Sequence, residues 1–256
     1  MTLPKAAQDF FAEIGMMADF GLRFFKEGFT PRYEFREMIR QCYYVGYKSL
    51  PLVALTAFIM GLVITIQSRP TLVEFGAEDW LPKMVSVSLV REIAPVITAL
   101  ICAGKVGSGM GAELGSMKVT EQIDAMEVSG TNPYKYLVVT RVFATIFMIP
   151  LLAILADAVS LYGGYLGCNI RGVVSWQLYW NQVFETLSYG DVVPAVLKTF
   201  FFGYAIGIIG CYKGYYSSKG TEGVGQSANS AVVLSSLMVF IIDLLAVQII
   251  DAMNLT

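Results

Sequence analysis

Ser49-Leu-Pro-Leu-Val-Ala-Leu-Thr-Ala-Phe-Ile-Met-Gly-Leu-Val-Ile-Thr-Ile-Gln67 carries no charge over its whole length. A helix needs about 20 mostly apolar residues to cross the hydrocarbon core of a bilayer, and this stretch supplies them. The run is continuous rather than alternating, which argues against a barrel strand. Four more runs of the same kind follow, at about residues 85–106, 137–162, 192–212 and 231–250. The third is long enough to tilt or to extend past the membrane. The reading is an all-α polytopic membrane protein with about five transmembrane helices.

The composition agrees. Hydrophobic residues make up 55% and charged residues 15%, the latter well under the ordinary share in soluble domains. Net charge is only -2, so neither a disordered chain nor a nucleic-acid binder is expected. There is no histidine, which removes Ser-His-Asp and Cys-His catalysis and His-ligated metals. Cys42, Cys102, Cys168 and Cys211 form no CxxC pair, and three of them sit in apolar runs as small hydrophobes. No catalytic or metal site and no cofactor of this chain's own are expected.

Orientation follows from Lys and Arg in the short loops. Seven lie in residues 1–48, four (Lys105, Lys118, Lys135, Arg141) around the loop after the second span, and two (Lys213, Lys219) after the fourth. The opposite loops hold Arg69, Lys83 and Arg171. The N-terminus is therefore expected in the cytoplasm and the C-terminus outside. Residues 1–48 show no cleavable signal pattern, so the first span is expected to act as the targeting signal. They divide from the membrane domain, 49–256, and read as interfacial helices. Phe10, Ile14, Met17 and Phe24 recur at helical spacing, as on a helix with its aromatic face in lipid or packed on the protein itself. Gly28 ends that helix, and Thr30-Pro31 reads as the N-cap and first residue of a second.

Gly107-Ser-Gly109-Met-Gly-Ala112 fits G-x-G-x-x-A, but the strand that motif requires is missing. Gly107, Gly111 and Gly115, like Gly203 and Gly207, read better as smooth faces for close helix packing. No P-loop sequence is present. Arg91, Glu92, Asp157, Lys198 and Asp243 lie in or beside apolar spans. Each charge near the bilayer centre costs at least about 2.5 to 3.5 kcal/mol, so such groups persist where they pair or line a polar path. Glu92, Lys198 and Asp243 come from three spans and can form one cluster. That cluster fixes helix register or couples to movement; Arg91 can also snorkel.

The loop after the second span suits a short acidic helix. Thr120 is a candidate N-cap, Glu121 and Asp124 suit its positive end, Ile123 and Met126 give it an apolar edge, and Gly130 with Asn132-Pro133 ends it. It reads either as a dock for a partner protein or as a solvated connector.

Arg91-Glu-Ile-Ala-Pro95, Gly104-Lys-Val-Gly-Ser108, Ala112-Glu-Leu-Gly-Ser-Met-Lys-Val-Thr-Glu-Gln-Ile-Asp-Ala-Met-Glu127, Asn132-Pro133 and Arg141-Val together resemble the MlaE family, permease subunits of ABC-type phospholipid transporters of the bacterial envelope. The resemblance runs from the first span to Asp243. It implies a permease domain over 49–256 in the bacterial inner membrane, working as a homodimer on a cytoplasmic ATPase that holds the ATP and Mg. It also implies an accompanying STAS-domain protein in many systems and an MCE-domain hexamer forming a periplasmic tunnel. The coupling helix falls at about 113–130, with Thr120, Glu121, Gln122, Ile123, Asp124, Met126 and Glu127 facing the ATPase. The lipid-cavity positions fall on Ile64, Thr71, Leu72, Phe75 and Ile93, and Arg69-Pro70 departs from the family pattern at the cavity mouth. The charge network falls on Arg91, Glu92, Lys198 and Asp243, with Asp191 near the outer edge. The residues alone also admit a secondary transporter using Glu92, Lys198 or Asp243 as an ion site, or an inert scaffold that anchors an ATPase.

Overall fold

The computed structural model describes residues 5–30, 34–170, 172, 174–218 and 220–252, and the side chains from residue 11 onward within them. Eight helices are found among the described residues, with no strand: α1 (Lys5–Gly28), α2 (Phe35–Glu74), α3 (Glu78–Val119), α4 (Gln122–Val128), α5 (Tyr134–Asn169), α6 (Trp176–Thr186), α7 (Tyr189–Tyr215) and α8 (Thr221–Ala252). Five of them, α2, α3, α5, α7 and α8, are long and apolar enough to cross a membrane. The protein is an all-α polytopic membrane protein, as the hydropathy required.

Each span outruns its apolar core. The first starts at Phe35, not Ser49, because a π turn at Tyr43–Tyr47 carries the helix onward into the apolar run. Residues 35–48 are thus continuous with the first span rather than a separate surface helix. Thr30 does not open that helix. Its hydroxyl donates to the Glu27 carbonyl at 2.7 Å and so closes the end of α1, while α2 begins after Glu34. Pro31 lies outside the described residues, as do Arg171 and Lys219 of the charge count. Gly28 ends α1 as expected.

The expected lipid face of α1 is divided. Phe24 is buried and Met17 packs on the core beside it, Ile14 is exposed, and the Phe10 side chain is outside the described set. The reason is Phe20, three residues after Met17 and four before Phe24 on the same side of the helix. It is buried among Tyr134, Tyr212 and Tyr216 at edge-on ring geometry, and it turns the helix onto the protein. Phe11, Leu22 and Phe25 remain outward.

The bundle is built around α5, with α2 against one side and α7 against the other. α3 packs against α5, α7 and α8. Lipid gives no hydrophobic drive between helices, so small residues and close van der Waals contact must hold them together. Gly203 of α7 shows this: a Cβ there would stand 2.6 Å from the Thr145 carbonyl oxygen of α5. Gly207 faces Val142 and Thr145, and Gly111 faces Ser227 and Ala228, so the glycine faces serve packing. A third seam, Gly61 against Ser160 and Gly163 against Phe58, joins α2 to α5 and was not anticipated. The outward faces are aliphatic and aromatic, as lipid contact requires: Leu55 and Ile59 on α2, Leu151 on α5, Phe201 on α7, Leu237 and Leu244 on α8.

α6 was not anticipated either. Ser175 caps it, accepting from the Leu178 amide at 3.2 Å. Tyr179 and Val183 face inward, while Trp176, Leu178 and Phe184 are exposed, the pattern of a helix lying at an interface. The Tyr179 hydroxyl donates to the Leu161 carbonyl at 2.9 Å, and burial pushes its phenol above the usual range.

Candidate functional site: an intramembrane charge cluster and a loop helix

Pro95 cannot donate to the Arg91 carbonyl, one turn before it, so the regular helical ladder must break there. α3 answers with a π turn at Leu89–Ile93, which holds both Arg91 and Glu92. Such bulges are frequent at functional sites. The turn aims Glu92 at α7. Lys198 Nζ reaches Glu92 Oε2 at 2.6 Å and Asp243 Oδ1 at 2.8 Å, joining α3, α7 and α8. The lysine is buried, and its two acids supply its ion-pair and hydrogen-bond partners. Glu92 remains 41% exposed at its side chain, beside an open groove of about 200 Å³ that also meets Arg91, Asp191 and Gln248. The cluster is buried on the lysine side and open on the Glu92 side.

Arg91 and Asp191 do not join this cluster. They form a separate pair at 3.5 Å. Asp191 is occupied in the capping box of α7, where its Oδ2 accepts from the Ser188 amide at 2.9 Å and the Ser188 hydroxyl at 2.8 Å. The expected five-member network is therefore a triad and a neighbouring pair. Asp157 faces the bundle interior with Oδ1 buried and without a hydrogen-bond partner among the described residues.

The five expected lipid-cavity residues separate into two groups. Ile64, Leu72 and Ile93 pack against a cluster of Leu81, Val85, Leu89 and Tyr179. Thr71 and Phe75 stay on the surface, Phe75 at 78% exposure. Arg69 ties this region down by an ion pair with Glu78 and a hydrogen bond to the Cys168 carbonyl at 3.4 Å. The helix passes through Pro70 and continues to Glu74.

At the other end of the bundle α4 spans only Gln122–Val128, so residues 113–119 of the expected coupling segment belong to α3. Thr120 does not cap α4. Its hydroxyl donates to the Ser116 carbonyl at 2.8 Å, closing α3, and Glu121 takes the N-cap position with a left-handed φ of 57°. A chain that turns within two residues leaves no room for an extended N-cap. Ile123 is buried and anchors α4, Met126 packs behind it, and Glu121, Gln122 and Asp124 point outward. Asp124 pairs with Lys118 at 2.6 Å, Gln122 donates to Thr120 at 3.0 Å, and Glu127 accepts from Tyr215 at 3.4 Å. Gly130, at φ 77°, ends the segment as expected.

Two features were missed. Arg141, fully buried, pairs with Glu113 at 2.9 Å and donates to the Leu137 carbonyl at 2.9 Å, locking the end of α3 to α5 behind α4. The acid in Ala112-Glu113, inside an otherwise small-residue helix, was the available signal. Val128 is 90% exposed on the outer face of α4, an apolar group where a connector would carry a polar one.

Five spans, a buried cation held between two acids and an anchored, outward-facing loop helix define a polytopic membrane protein with a polar intramembrane centre. The family model described as Permease MlaE matches residues 38–249, and the chain belongs to the MlaE permease family. A probable ABC transporter permease of Rickettsia typhi is 41% identical over 83% of this chain and 82% of its own length. One from Synechocystis is 39% identical over 80% and 78%. The intermembrane phospholipid transport system permease protein MlaE of Haemophilus influenzae is 33% identical over 85% and 84%.

Proposed function

We propose that this chain is the permease subunit of an ABC transporter that moves phospholipid between the inner membrane and a periplasmic MCE-protein tunnel, driven by ATP hydrolysis on a separate ATPase. The observation that carries the reading is the similarity, over most of both chains, to a permease named for intermembrane phospholipid transport. The excess of Lys and Arg in alternate loops supports a cytoplasmic N-terminus and an external C-terminus. With that orientation α4 faces the cytoplasm, where Glu121, Gln122, Asp124 and Val128 would meet the ATPase. Ile123 and the Glu113–Arg141 pair stiffen its mounting, so movement of a partner on α4 reaches α3 and α5 as rigid displacement.

In this reading two copies form the lipid cavity between them. Ile64, Leu72 and Ile93 support its wall, while Thr71 and Phe75 are the surface that a second copy and the acyl chains cover. The Lys198 triad holds α3, α7 and α8 in one register as the cavity closes. A STAS-domain protein bound to the ATPase fits the same assembly.

The test is affinity capture of the full chain from solubilised membranes, with mass spectrometry of proteins and lipids. An ATPase, an MCE-domain protein and phospholipid are expected, and the double change Glu121→Lys with Asp124→Lys should release the ATPase without unfolding the permease. The Asp124–Lys118 pair it breaks is exposed and worth at most about 1 kcal/mol. Capture with no ATPase would overturn the reading, and ATP-independent transport driven by a pH gradient would replace it with a secondary transporter.

A further inference from the structure

At the end of the bundle that carries α4, α2 and α3 part to leave a groove of about 320 Å³. Arg40, Tyr44 and Lys48 of α2 line one side, and Lys105, Gly109 and Glu113 of α3 the other. The π turn Tyr43–Tyr47 sets the α2 residues, and a second π turn, Ala103–Gly107, sets Lys105. Lys105 donates to the Lys48 carbonyl across the gap. The Tyr44 ring gathers the other two cations: Lys48 Nζ is 4.0 Å and the Arg40 guanidinium 5.7 Å from its centroid. At Gly109 a Cβ would meet nothing within 4 Å, so the groove stays open on the α3 side.

The nearby acids are already engaged. Glu113 is paired with the buried Arg141 at 2.9 Å. Glu37 accepts from Gln41 at 2.7 Å and lies 3.6 Å from Arg40. Among the described residues, Lys48 and Lys105 have no carboxylate partner. The groove therefore is lined by two lysines without a carboxylate counter-charge.

Its level in the membrane identifies the counter-charge. Tyr43, Tyr44 and Tyr47 are all exposed here, and the outward aliphatic face of α2 begins directly after them with Leu50, Leu52 and Leu55. Tyrosines gather at the headgroup boundary and aliphatic side chains below it. A cationic groove opening between those two layers matches a phosphate that carries acyl chains. We propose that this groove binds the headgroup of an anionic glycerophospholipid, its phosphate against Lys48 and Lys105 and its chains along Leu52 and Leu55. The site is distinct from the Lys198 cluster, since Glu92, its member on α3, and Lys105 are about 20 Å apart along that helix at 1.5 Å per residue. Its assignment to the cytoplasmic leaflet rests on the orientation proposed above; the binding itself does not depend on it or on transport.

The test uses the full chain in phosphatidylcholine nanodiscs containing a small fraction of photoactivatable phosphatidylglycerol or photoactivatable phosphatidylcholine. Cross-linked peptides are mapped by mass spectrometry. One cation near an anionic lipid changes binding by about fivefold. The phosphatidylglycerol probe should therefore label the peptides containing Tyr44 and Lys105 at least about fivefold more than the phosphatidylcholine probe. K48Q and K105Q should each reduce that excess about fivefold, and K48R with K105R should keep it. Labelling around Leu244 on α8 and the thermal midpoint should stay unchanged throughout. Equal labelling by the two probes overturns the proposal. So does loss of the phosphatidylglycerol signal on adding inorganic phosphate at constant ionic strength, which would make the groove a site for a free anion. Neither result bears on ATP-driven transport, so the permease reading stands or falls separately.

Discussion

Replacing Lys198 with Met removes the cation that two carboxylates share in the middle of three spans. For a pair sealed on both sides, removing one partner costs about 3–5 kcal/mol, because the other charge stays buried alone. Here Asp243 is 19% exposed at its side chain and Glu92 41%, so water in the groove solvates part of what remains. That discount brings the expected loss to about 2–3 kcal/mol. For a chain of this length, each kcal/mol moves the midpoint by about 2–4 °C, so unfolding should occur about 4–12 °C earlier. A thiol-reactive dye in detergent reads this directly, since Cys102, Cys168 and Cys211 are buried and become reactive only on unfolding. The triple change E92Q, K198M and D243N leaves no unpaired charge and should recover most of the midpoint. It also separates the two roles of the cluster: recovered stability with lost lipid transport would mean that the charges couple to movement, and recovery of both would mean a static clamp. A K198M midpoint within about 2 °C of the parent protein would refute the geometry itself.

Gly203→Leu should lower the midpoint more than ordinary overpacking, which costs about 1–3 kcal/mol, because the new side chain meets the Thr145 backbone and not a yielding side chain. Gly15→Ala, placed where a Cβ meets nothing, is the matched control and should leave the midpoint unchanged or slightly raised. Tyr179→Phe should loosen α6 by about 1 kcal/mol, since it removes the buried hydrogen bond that ties α6 to the Leu161 carbonyl of α5, and limited proteolysis should cut near α6 first. The parent phenol is held protonated by burial, so its contribution is full below pH about 10 and is lost above it, as the unfolded chain ionises; the phenylalanine variant should lack that alkaline decline.

The sequence by itself determined the number of spans, their order and the apolar character of their outward faces. Those follow from local composition, because lipid demands a continuous apolar stretch wherever a helix crosses. The pairing of Glu92, Lys198 and Asp243 was also legible, since isolated charges within apolar runs have few stable solutions besides one another. Family motifs supplied the remainder of the functional reading. The caps were not legible. Thr30 and Thr120 are good N-cap residues, but each closes the preceding helix, because a threonine hydroxyl serves either end and only the path of the next residues decides which. The division of the expected charge network was not legible either: Asp191 is drawn into the Ser188 capping box and toward Arg91, contacts that only the start of α7 and its place beside α3 decide. Phe20 turns inward and Phe25 outward for a similar reason. Both are large and apolar, so composition assigns both to lipid or to core, and only the position of Tyr134 and Tyr212 on other helices separates them. The basic groove at Lys48 and Lys105 lies beyond any sequence reading, because its residues are 57 positions apart and meet only where two π turns bring their helices together.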